Sequence, residues 1–93
     1  MSRQTKIPRR KNSTRVRIRG KWWRVVYGRA PKYKVVGMCD YASRTLYITR
    51  RGEPYSTAIH EALHAALPDL DEDAILATEL AVVDTLKAVA RLL

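Results

Sequence analysis

Residues 45–67 read Thr45-Leu46-Tyr47-Ile48-Thr49-Arg50-Arg51-Gly52-Glu53-Pro54-Tyr55-Ser56-Thr57-Ala58-Ile59-His60-Glu61-Ala62-Leu63-His64-Ala65-Ala66-Leu67, and the spacing of their apolar side chains changes midway. Thr45 to Thr49 carries β-branched and aromatic residues in a short run that suits a strand. Beyond the breaker Gly52-Glu53-Pro54, Ala58, Ile59, Ala62, Leu63 and Ala66 recur at helical spacing, so Tyr55 to about Leu67 is expected to be a helix with Pro54 near its first turn. The chain therefore passes from sheet to helix at residues 52–54.

Working back from this junction, Arg15-Val16-Arg17-Ile18-Arg19 alternates as a half-buried strand does. Gly20-Lys21 turns it into Trp22-Trp23-Arg24-Val25-Val26-Tyr27, which is expected to pair with it as a hairpin. Adjacent positions on a strand face opposite ways, so one of Trp22 and Trp23 belongs to a core and the other to the surface. Tyr33 to Met38 reads as a further strand, joined to Thr45–Thr49 through the polar turn Asp40-Tyr41-Ala42-Ser43. Working forward, Pro68-Asp69-Leu70 interrupts the helix and Asp71 can cap a second one from about Glu72 to Leu92, with Glu72 and Asp73 at its positive end. The expected fold class is α+β: a small antiparallel sheet of about four strands followed by two antiparallel helices. The expected domain organisation is a basic flexible tail over residues 1–14, with one large apolar residue, Ile7, and a single domain over 15–93.

The first helix carries His60-Glu61-Ala62-Leu63-His64, an HExxH motif that contains both histidines of the chain. Residues four apart share a helix face at roughly 5–6 Å between Cβ atoms, so the two imidazoles can converge on one zinc ion. Glu61 stands about 100° around the helix from His60, where a carboxylate can reach a water at the metal without being a ligand and act as general base. Zinc supplies the rest by polarising a carbonyl and lowering the pKa of its water to about 7. Two histidines are too few, since a catalytic zinc usually takes three protein ligands. Glu79 lies inside the apolar arc of the second helix, and an antiparallel return places it level with the site, which makes it the expected third ligand. Glu72 competes from the same face seven residues earlier, and Asp71, Asp73 and Asp84 are the other carboxylates within reach. Cys39 is expected to be a small buried hydrophobe, and Tyr41, Tyr47 and Tyr55 are candidates to steady a developing oxyanion.

Gly37-Met38-Cys39-Asp40, Arg44-Thr45-Leu46-Tyr47-Ile48 and Thr57-Ala58-Ile59-His60-Glu61-Ala62-Leu63-His64-Ala65 together resemble short phage-encoded HExxH zinc metallopeptidases of the minimal gluzincin kind, akin to the SprT-like and phage-repressor-cleaving peptidases. The resemblance covers roughly Val16 to Leu93. It implies a zincin-like fold in which an edge strand lines the cleft, the HExxH helix holds zinc, and the following helix brings an acidic ligand. On that picture Thr45 to Thr49 is the edge strand and takes substrate by strand addition. In gluzincins the ligand helix often carries an Asp four residues after its Glu; here position 83 is Val and Asp84 lies five beyond Glu79.

Charge is divided as sharply as secondary structure. Residues 1–53 hold sixteen Lys and Arg against Asp40 and Glu53, a balance of +14, whereas residues 54–93 hold two against seven acids, a balance of −5. A basic half attracts polyanions, so nucleic acid is an expected partner through the basic residues of 3–34, beside a protein or peptide substrate at the metal site. No apolar run approaches the roughly 20 residues of a membrane span, and the one cysteine excludes an internal disulfide, so a cytoplasmic setting without membrane contact is expected. The leading expectation is a zinc endopeptidase; the other is a nucleic-acid-binding protein of a phage or mobile element whose zinc site is structural or decayed.

Overall fold

The computed structural model describes residues 12–32 and 34–93. Four strands, β1 (Ser13–Ile18), β2 (Lys21–Gly28), β3 (Gly37–Asp40) and β4 (Thr45–Thr49), precede two helices, α1 (Pro54–Ala66) and α2 (Glu72–Leu92). The protein is thus α+β, as its patterning implies. β1 starts inside the expected tail, at Ser13, and the tail's residues 1–11 lie outside the described residues.

The sheet is mixed, not antiparallel. Its order is β1-β2-β4-β3, with β1/β2 and β3/β4 antiparallel and β2/β4 parallel. The stretch expected as a Tyr33–Met38 strand contributes β3 only from Gly37, and the strand runs on through Asp40. After β2 the chain skips one position, lays β3 on the outside and returns through β4. Thr45, Leu46, Ile48 and Thr49 are all buried, in keeping with a strand flanked by a neighbour on each side. β4 is therefore not the edge strand that the family resemblance implied; β3 is.

Arg19 and Gly20, at φ 51° and 81°, make the tight β1–β2 turn, in which the left-handed conformation suits the twist of a two-residue hairpin. At the next corner Asp40 Oδ1 accepts from the Ala42 and Ser43 amides at 3.1 and 3.4 Å, closing the turn between β3 and β4. The core lies between the sheet and α1, where Trp23, Leu46 and Ile48 pack with Ile18, Val25, Cys39, Ala58, Ala62 and Ala65. Small alanines at these spacings let the helix axis lie close to the sheet. Trp23 is the core tryptophan at 6% exposure, and Trp22, at 47%, points to the other face.

Both helix starts are capped by acids. Glu53 accepts from the Ser56 amide and Asp71 from the Ala74 amide, so each supplies a partner to a donor that has none inside the helix. At the far end of α1, Tyr41 Oη donates to the His64 carbonyl at 2.9 Å and Arg19 Nη1 to that of Ala66 at 3.0 Å. Two orphan carbonyls are satisfied in this way, and the last turn of α1 is tied to two separate sheet turns. α2 packs chiefly on α1. It is 21 residues long against 13, so at 1.5 Å per residue it overhangs its partner by about 12 Å. This is why Ile75 is fully buried while Leu86, Val89 and Leu93, on the same apolar stripe, are exposed. Among the described residues no helix is long and apolar enough to cross a membrane.

Candidate metal centre

At 100° per residue, the Ala58/Ala62/Ala65 face of α1 meets the sheet, Glu61 stands about 60° from Ala58, and His60 and His64 lie farther round, toward α2. The imidazole centroids are 4.9 Å apart. Glu72 Oε1 lies 3.3 Å from His60 Nε2 and 3.0 Å from His64 Nε2, and the donor atoms of His60, His64 and Glu72 all fall within 4.8 Å of one another. Ligand atoms of a tetrahedral zinc with bonds of 2.0–2.1 Å are about 3.3 Å apart, a spacing that the two Glu72–imidazole distances match, so the group could hold a metal ion.

Glu79 is placed differently from the level counting above. Its Oε1 is 2.8 Å from Nδ1 of His60, the nitrogen that faces away from the cluster. A carboxylate accepts from that N–H and leaves the Nε2 lone pair to point at an ion, the usual support of a metal-bound histidine. Level counting along the helices favours Glu79 over Glu72 because it treats the imidazole as a point. The ring spans its two nitrogens, and two long glutamate side chains two turns apart on α2 reach one nitrogen each. Asp71 is occupied as the α2 cap.

Glu61 is 7% exposed, and among the described residues its carboxylate makes neither a hydrogen bond nor an ion pair. Burial drives its pKa up; His60 and His64 oppose this, while Glu72 and Glu79 add to it. A buried acceptor without a protein partner calls for a water, ion or substrate group. Its seat is made by β3, because a Cβ on Gly37 would stand 2.8 Å from Glu61 Oε2 and 2.5 Å from Thr57 Cγ2. Only glycine lets the edge strand come this close. For His60, burial pulls the pKa down, but the Glu79 hydrogen bond and the charges of Glu72, Glu61 and Glu79 outweigh it, and the net shift is upward.

A cleft of about 340 Å³ opens over these groups, walled by Val36, Gly37, Thr57, Glu61, Glu72 and Glu79. A larger hollow of about 660 Å³ is lined by Arg19, Trp23, Tyr41 and Arg44, with neither histidine in its wall. Tyr41 also borders the histidine cluster but spends its hydroxyl on the His64 carbonyl, and Tyr55 is highly exposed at the start of α1. Cys39 packs against the core and its thiol is pushed up to about 11, chiefly by burial. Sequence reasoning missed Gly37; the signal was a glycine opening a strand, where a side chain would ordinarily add packing. Compared with known proteins, the chain matches no family model, no curated protein and no solved structure.

Proposed function

We propose that this chain is a zinc-dependent metallopeptidase in which His60, His64 and Glu72 hold the metal, Glu61 is the general base and Glu79 orients His60. The observation that carries the reading is the convergence of two imidazole nitrogens and one carboxylate oxygen beside a buried, unpartnered glutamate. Zinc bound there would supply a Lewis acid for a peptide carbonyl and an acidified water. Burial and the neighbouring acids favour a Glu61 that can hold a proton, as a base must before passing it to a leaving amine. The free edge of β3 runs beside Glu61, so an extended peptide adding to that strand would bring its backbone to the site with little side-chain selectivity.

The test is zinc content by elemental mass spectrometry on untagged protein, followed by cleavage of a mixed peptide library. About one zinc per chain, together with a Glu61→Gln variant that keeps the metal and loses cleavage, supports the proposal. Absence of zinc after reconstitution, or cleavage that survives Glu61→Gln, refutes it.

A further inference from the structure

The sheet has a second face, which the metal site does not use. By register, Arg15 and Arg17 of β1, Trp22 and Arg24 of β2, Tyr47 of β4 and Met38 of β3 all project away from the helices. α1 packs on the opposite face and α2 packs chiefly on α1, so neither helix lies over these residues. Trp22 is half exposed there, and the guanidinium carbons of Arg15 and Arg17 stand 4.5 and 5.1 Å from its ring centroid. Among the described residues none of Arg15, Arg17 and Arg24 is paired with a carboxylate. The acid nearest this face, Asp40, is turned into its own corner by the Ala42 and Ser43 amides.

We propose that this face binds single-stranded nucleic acid, with bases stacking on Trp22 and its flanking guanidinium planes and with phosphates meeting Arg15, Arg17 and Arg24. An exposed aromatic framed by arginines without carboxylate partners suits a single strand, because bases can stack on the ring or on the guanidinium planes lying over it, and the backbone needs cations around it. The +14 balance of residues 1–53 adds long-range attraction for a polyanion and argues against a basic partner. A duplex hides its base faces and gains nothing from Trp22. Arg19 is excluded from the surface because it holds the end of α1. Since this face and the metal cleft lie on opposite sides of the sheet, both can be occupied together.

The test is fluorescence anisotropy of the full chain with labelled oligomers of about ten nucleotides, poly-dT and poly-rU in separate arms, across a salt series. Wild type should bind one or both, and the stronger arm identifies DNA or RNA. Trp22→Ala should weaken binding about tenfold or more while Trp22→Phe retains most of it. The double variant Arg15→Gln/Arg17→Gln should reduce the slope of log affinity against log salt by about 1.4, or 0.7 for each lost phosphate contact on a single strand. Circular dichroism of each variant verifies the fold. Affinity unchanged by Trp22→Ala, a duplex or heparin bound as tightly and as independently of Trp22, or no binding at low salt, would overturn the proposal.

Discussion

The sharpest consequence of the proposed metal centre is that the two glutamates of α2 must fail differently. Glu79 touches only the outward nitrogen of His60, at 2.8 Å, so Glu79→Ala removes a supporting hydrogen bond while leaving all three converging donors in place. Loss of such an outer partner costs 10–100-fold in metal affinity, or about 1.4–2.8 kcal/mol. Glu72 contributes a converging oxygen, and Glu72→Ala leaves two imidazoles alone, so its loss should exceed that range. The Glu72 side chain is 61% exposed, so truncating it opens no cavity and the metal-free fold should keep its melting temperature. The assay is competition for zinc against a chromophoric chelator near neutral pH, with His64→Ala as the reference for a lost ligand. Zinc retained within tenfold of wild type in Glu72→Ala but lost in Glu79→Ala would refute the assignment and return the ligand role to Glu79.

Gly37→Ala would force a methyl to within 2.5 Å of Thr57 and 2.8 Å of Glu61, so it should destabilise the fold by about 1–3 kcal/mol and depress peptide cleavage more than zinc affinity; unchanged denaturant unfolding would count against the tight approach of β3. In chelator, His60 and Glu61 both hold protons more tightly folded than unfolded, so their contribution favours the fold at low pH and is lost as pH rises through their raised values. With zinc the trend should reverse, because the ligands must shed protons to bind; parallel melting curves with and without zinc from acid to neutral pH would contradict this. The Cys39 thiol, pushed up to about 11, should alkylate far more slowly than a free cysteine at mildly alkaline pH in the folded chain and at the ordinary rate in denaturant; equal rates would show that the thiol is neither buried nor shifted.

Much of this protein is readable from one dimension. The change of period at Gly52-Glu53-Pro54 separates sheet from helix, the opposite faces of Trp22 and Trp23 follow from strand alternation, and the extent of α2 follows from Asp71 and its acidic first turn. The spacing of His60 and His64 alone places two imidazoles side by side, because i and i+4 share a helix face whatever surrounds them. These are local matters, decided by neighbours in the chain. What lies between elements was decided only in three dimensions. Whether β4 is edge or interior depends on which strand the chain skips, and alternation looks the same in both cases. Whether Glu72 or Glu79 meets the Nε2 atoms depends on the rotation and stagger of α2 against α1, since the two glutamates stand two turns apart on one face. Gly37 acquires its meaning only when Thr57 and Glu61, far along the chain, are folded against it, and the Arg15–Trp22–Arg17 face becomes a surface because α1 covers the other side. Sequence period fixes which way a side chain points, and packing alone fixes what it points at.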